Sequence, residues 1–153
     1  MLAIGLALSA PAAPAALAAQ GPRTAEIGAG AMLVLAHRAF YGGELGVAQR
    51  PGGQGRFALT AAGGAYEGAL GVRVEATAQF LLQPGERRGA GPYGGLGLAF
   101  VGAEGTRGAG YLTALLGVDA GPGARQGWYV ELGLGGGVRL SAGRRFRRFP
   151  PSW

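Results

Sequence analysis

Hydrophobic residues recur at every second position along most of this chain, and the positions between them hold glycine, alanine and a few charges. A period of two puts successive side chains on opposite faces of an extended backbone, so the pattern specifies strands and not helices. From Tyr66 to Leu82 one face carries Tyr66, Leu70, Val72, Val74, Ala76, Ala78, Phe80 and Leu82, and the other Glu67, Arg73, Glu75, Thr77 and Gln79. From Trp128 to Ala142 one face carries Trp128, Val130, Leu132, Leu134, Val138, Leu140 and Ala142, against Glu131, Gly133, Gly135, Gly137, Arg139 and Ser141. Weaker copies fill Thr24 to Leu35, Gly43 to Arg50, Arg56 to Ala62, Tyr93 to Val101 and Tyr111 to Asp119. Turn-forming residues separate the windows at Pro51-Gly52-Gly53, Gly63-Gly64, Gln83-Pro84-Gly85, Glu104-Gly105 and Gly121-Pro122-Gly123. The alternation passes through Gly135-Gly136-Gly137 without changing phase, so this triplet reads as strand interior. The expectation is an all-β, antiparallel up-and-down meander, with seven windows defined.

Alternation does not say which face is buried, but the composition of the polar face does. Gly is 33 of 153 residues, about three times the usual ~7% share. On the polar face Gly and Ala are punctuated by Glu26, Glu44, Glu67, Glu75, Asp119 and Glu131, with Arg50, Arg56, Arg73 and Arg139. Small residues and a few charges of both signs suit the cramped interior of a narrow barrel, where carboxylate and guanidinium groups pair. The apolar face of the same strands carries no charge, with Gln49 its main polar exception. Lipid accepts such a surface, whereas water would meet it as one large apolar patch. Glu26, Glu44, Arg50, Arg56, Glu67, Arg73, Glu75, Glu131 and Arg139 are therefore expected to form a lumenal charge network.

Aromatic residues fall near the ends of the apolar face. Phe57, Tyr66, Phe80, Phe100, Trp128 and Phe146 are expected at the membrane interfaces. Tyr66 and Phe80, fourteen residues apart in one window, would be separated by roughly 35 Å along a tilted barrel axis. Val72 would lie near the middle of that face.

The chain opens with an uncharged, apolar stretch, Met1 to Ala19, that ends in Ala16-Leu17-Ala18-Ala19 and has the form of a secretory signal peptide with a small-residue cleavage site. Beyond it no apolar run reaches the ~20 residues of a membrane-spanning helix. With no Cys, no Lys and one His, His37, the chain lacks thiolate and poly-histidine metal sites, disulfides, the P-loop lysine and Schiff-base chemistry. Of the formal charge of +6, Arg144, Arg145, Arg147 and Arg148 supply four in one short stretch, which leaves the body near +2. Without a recognition fold this basic segment does not point to nucleic acid.

These features together resemble the small outer-membrane β-barrels, of the eight-stranded type found in the membrane domain of outer membrane protein A. The resemblance rests on strand pattern, the signal-like start and an aromatic-containing end, Phe146, Phe149 and Trp153. It implies a bacterial outer-membrane location, contact with membrane lipids, and a strand-terminal aromatic read by the barrel-assembly machinery. Pro150 and Pro151 keep Trp153 out of a regular ladder, so Phe146 takes that role. The domain organisation expected is a signal peptide over residues 1–19, a barrel over 20–146 and a basic, aromatic tail over 147–153. The even strand number of bacterial barrels implies an eighth strand, sought at Ala36 to Gly42 or at the glycine triplet. Oligomeric state is left open.

Candidate catalytic groups are few. His37, Asp119, Ser141 and Ser152 are the residues from which a lipid-modifying site would have to be built, and the strand order puts His37 and Asp119 at opposite ends. Gly89 to Gly94 fits GxGxxG, but Pro92 and Tyr93 open a strand where a phosphate-binding motif needs a helix N-terminus. The expectation is a non-enzymatic barrel without cofactor, serving a structural, interaction or narrow-pore role with a polar, plugged lumen. The alternatives are a soluble lipocalin-like barrel with an apolar lumen for a lipid-like ligand, and an outer-membrane lipid-modifying enzyme.

Overall fold

A computed structural model describes residues 23–151. Eight strands follow in chain order: β1 (Thr24–Leu35), β2 (Phe40–Gly52), β3 (Gly55–Tyr66), β4 (Ala69–Leu81), β5 (Ala90–Ala103), β6 (Ala109–Ala120), β7 (Gln126–Leu134) and β8 (Val138–Arg148). Each pairs antiparallel with the next, and β8 pairs with β1, for example Ile27 with Phe146, so the sheet closes. Closure gives every strand a neighbour on both sides, the condition for crossing lipid with strands, and the opposite-end stretch of β6, Ala109 to Thr113, runs past its ladder with β7. No described helix is long and apolar enough to cross a membrane.

The eighth strand comes from dividing the window Trp128 to Ala142. The triplet Gly135-Gly136-Gly137 is a turn, contrary to the sequence expectation, with φ of +74° at Gly136 and +144° at Gly137. Leu134 pairs with Val138 across it. An odd number of turn residues keeps both flanking residues on one face, so alternation runs through undisturbed and hides the turn.

The opposite effect misplaces Tyr66. Glu67 and Gly68 form a two-residue turn, both with positive φ (50° and 83°), as a type I′ hairpin requires. Tyr66 pairs with Ala69, and two turn residues reverse the phase. Tyr66 is therefore the last residue of β3, turned inward against Met32, Val34, Phe40 and Ala62, and not a lipid-facing partner of Phe80. Val72 consequently stands three residues into β4, and Ala76 is nearer its middle. Gly63-Gly64 is not a turn but strand interior. A Cβ at Gly64 would lie 2.1 Å from the Tyr41 carbonyl oxygen, so glycine there permits close approach of β2 and β3.

The end of the chain also differs from expectation. β8 continues through Arg147 and Arg148, so the barrel extends past the expected boundary at 146, and Arg145 and Arg147 are buried. The proposed signal segment, Ser152 and Trp153 lie outside the described residues.

Both ends of the described chain lie at one end of the barrel, called here the terminal end. The turns after β2, β4 and β6 are there; those after β1, β3, β5 and β7 are at the opposite end.

Outside, the wall is Leu, Val, Ala and aromatic side chains, with Leu45, Leu70, Leu96, Leu98, Leu112 and Leu116 all more than three-fifths exposed. Among the described residues the only charged side chains directed outward from strands are Arg144 and Arg148, at the terminal end of β8. Phe57, Phe80, Trp128 and Phe146 are exposed outward toward the terminal end, and Tyr41 and Phe100 toward the other.

Candidate functional site

Inward positions of seven strands, all but β5, converge on a chain of ion pairs. Glu26 on β1 meets Arg50 on β2 and, at 3.3 Å, Arg56 on β3. Arg56 donates at 2.7 Å to Asp119 on β6, whose other oxygen accepts from Arg145 on β8 at 2.5 Å. Arg145 also reaches Glu131 on β7 at 2.5 Å, and Glu131 pairs with Arg139. Arg139 donates to Glu75 on β4 at 2.7 Å, and Glu75 accepts from Arg73 at 2.6 Å. Arg73 then donates at 2.8 Å to the carbonyl of Gly135, in the β7–β8 turn. The column thus runs from the terminal end to the opposite turn, and Arg56, Arg73 and Arg139 are each only 1% exposed.

Such a column stands only because nearly every charge has an opposite one at hydrogen-bond distance; an unpaired charge in this environment costs several kcal/mol. Aromatic rings fill the space between pairs. Tyr93 donates to Glu131 at 2.7 Å, and Tyr129 donates to Glu44, which also accepts from Ser141 at 3.1 Å. The Arg56 guanidinium lies 4.2 Å from the Tyr93 ring centroid, and that of Arg145 4.2 Å from the Tyr129 centroid, both within cation–π range. The inward glycines make room for these rings. A Cβ at Gly117 would lie 2.4 Å from the Tyr93 ring, and one at Gly30 would lie 2.7 Å from the Tyr129 hydroxyl.

At the terminal end two loops fold over the column. Gly121 and Gly123 donate backbone hydrogen bonds to Gly89 (2.8 Å) and Glu86 (2.7 Å), tying the β6–β7 loop to the β4–β5 loop. Arg50 donates to the carbonyls of Pro84 and Pro122, at 3.3 and 3.0 Å, and Arg147 to that of Gly121 at 3.3 Å. Inside the column the space lined by Glu26, Glu44, Tyr129 and Arg145 has a volume of about 30 Å³.

Of the nine residues expected in the lumen, Glu26, Glu44, Arg50, Arg56, Arg73, Glu75, Glu131 and Arg139 are inward and buried. Glu67 is not among them: it occupies the β3–β4 turn and makes an exposed pair with Arg38 at 3.3 Å. Three more residues complete the set: Asp119, which the alternation already puts on the polar face, and Arg145 and Arg147, whose phase is hidden because Arg144 to Arg148 reads as a basic run. The signal that could have found them is period two: Arg145 and Arg147 share the phase of Arg139 and Ser141.

Of the residues considered for catalysis, His37 lies in the β1–β2 loop at the opposite end and Asp119 at the terminal end inside the column. Ser141 is buried against Glu44. No group of three metal-ligating side chains occurs among the described residues. A lipocalin-like binding cavity needs an apolar lumen, and the lumen here is charged, so that alternative is overturned.

No protein-family model and no curated protein matches the chain by sequence. Solved structures do match. The N-terminal β-barrel domain of Pseudomonas aeruginosa OprF superposes with a TM-score of 0.65 at 18% identity, covering 82% of this chain and 97% of that one. The outer membrane protein OprG of the same organism gives 0.70 at 10% identity, over 83% and 96%. Neisserial surface protein A gives 0.54 at 16% identity, over 81% and 96%. The strand number, closure and inverted polarity found here agree with that likeness, and the chain has the fold of the eight-stranded outer-membrane β-barrels.

Proposed function

We propose that this protein is an integral barrel of a bacterial outer membrane, with a structural or interaction role and a lumen plugged by its ion column. The observation that carries this reading is the polarity of the wall: charges paired inside, and, among the described residues, a leucine-rich outer strand face with no charge except at the terminal end of β8. A closed ladder satisfies the backbone in lipid, and the apolar face then needs no further partner. Plugging is supported by the small lumenal space and by the two loops over the terminal end. A non-enzymatic role is supported by the separation of His37 from Asp119 and by the burial of Ser141. Phe146, outward on β8 two residues before the strand ends, is suited to be the aromatic read during barrel assembly, which brings in membrane lipids and the assembly machinery as partners and no nucleic acid.

The test is gel mobility of the chain folded in detergent, boiled against unboiled, with far-UV circular dichroism and planar-bilayer conductance. A heat-dependent shift, a β spectrum that requires detergent, and negligible conductance are expected. A stable β spectrum in plain buffer would contradict insertion, and large steady currents would contradict plugging.

A further inference from the structure

The fourteen arginines and eight acidic residues of the chain divide by position. In the lumen Arg50, Arg56, Arg73, Arg139, Arg145 and Arg147 face Glu26, Glu44, Glu75, Asp119 and Glu131, nearly in balance. At the opposite end Arg38 and Arg107 are matched by Glu67 and Glu104. At the terminal end Arg23, Arg87, Arg88, Arg125, Arg144 and Arg148 are accompanied by one acid, Glu86. Almost all of the excess charge therefore sits at that end.

Part of this excess borders a basin of about 820 Å³, lined by Arg23, Arg87, Arg125, Arg147 and Arg148 together with the apolar Phe149 and Pro150. Among the described residues no carboxylate side chain lines it. The buried Nη2 atom of Arg23 has no hydrogen-bond partner among the described residues. Guanidinium groups recognise phosphate oxygens in a planar, two-pronged geometry, and several around one basin select an anion with more than one oxygen. The basic surface also continues onto the lipid-facing wall. Arg144 and Arg148 project outward on either side of Phe146, and Arg144 pairs with Trp128. Those aromatics belong to the belt with Phe57 and Phe80, which places the arginines at headgroup depth. A soluble ion would have no use for that placement.

We propose that the terminal end binds the phosphodiester headgroup of an anionic glycerophospholipid, seated among Arg23, Arg87, Arg125 and Arg148. This rests on the membrane reading above. The phosphodiester lies against the guanidinium groups, Phe149 and Pro150 provide an apolar wall, and the acyl chains run along the wall beside Phe146.

The experiment is native mass spectrometry of the full-length barrel released from an equimolar mixture of phosphatidylglycerol and phosphatidylcholine. Wild type is compared with the triple variant Arg23→Gln, Arg87→Gln, Arg125→Gln, and with Arg38→Gln, Arg107→Gln at the other end as control. Wild type and control are expected to retain phosphatidylglycerol about tenfold over phosphatidylcholine, and the triple variant near parity. Equal retention of both lipids by wild type, or an unchanged preference in the triple variant, would overturn the proposal. So would displacement of the lipid by excess inorganic phosphate, which would assign the basin to a free anion. Heat-dependent gel mobility is read on every sample, so failure to insert is distinguished from loss of headgroup preference. Should the triple variant not fold, Arg87→Gln with Arg125→Gln, both on exposed loop positions, gives the same reading.

Discussion

Asp119 on β6 accepts from Arg145 on β8 at 2.5 Å and from Arg56 on β3 at 2.7 Å, so one carboxylate ties together three strands that share no ladder with one another. Arg147 stands 3.3 Å from the same group. The closed ladder fixes neighbouring strands; pairs of this kind cross the lumen and fix the barrel's cross-section.

Asp119→Asn keeps the shape of the side chain and removes the charge that three guanidinium groups share. Stability is expected to fall by about 3–5 kcal/mol, the usual cost of leaving buried charge uncompensated. Urea-induced unfolding in lipid vesicles measures it. Adding Arg145→Gln should recover part of the loss, and a single variant as stable as wild type would show that the column is not held by this carboxylate.

Gly117 faces the Tyr93 ring, and a Cβ there would come within 2.4 Å of it. Gly117→Ala is expected to destabilise by about 1–3 kcal/mol through overpacking. In a Tyr93→Leu background the same substitution should cost little, which a double-mutant cycle detects as a coupling of similar size. Additive effects would mean that the inward glycine serves something other than this ring.

Ala76 stands in the middle of β4 on the outward face, and Val72 nearer its turn. Ala76→Arg is expected to cost about 2–4 kcal/mol of folding free energy into vesicles, and Val72→Arg less, because the penalty falls toward the interface. Folding yield against urea concentration gives both values. Equal tolerance of the two substitutions would place this face outside lipid.

Most of the fold is legible in period two, because a barrel wall with lipid on one side and a packed lumen on the other imposes alternation on every strand. Turns are where that legibility stops. Three residues at Gly135 to Gly137 preserve phase and conceal a turn, while two at Glu67 and Gly68 reverse it and send Tyr66 to the wrong face. The charge network is legible in part for the same reason. Arg73, Glu75, Glu131 and Arg139 follow the alternation of long windows, whereas Arg145 and Arg147 lie in an arginine run whose composition hides its phase. Which acid meets which arginine depends on register and on lumenal crossings between distant strands, and no local pattern encodes that.

Trp128 offers the most direct test of whether the outer wall meets lipid, since it is outward on β7, 51% exposed, and the chain has only two tryptophans. With Trp153→Phe in place, the barrel is folded into vesicles containing phospholipids brominated at different acyl depths, and Trp128 fluorescence is recorded. Strong quenching by bromines near the headgroup end of the acyl chains, with little quenching by aqueous iodide, is the expected result. Efficient iodide quenching with no response to bromine at any depth would contradict the membrane-facing exterior on which the functional reading rests.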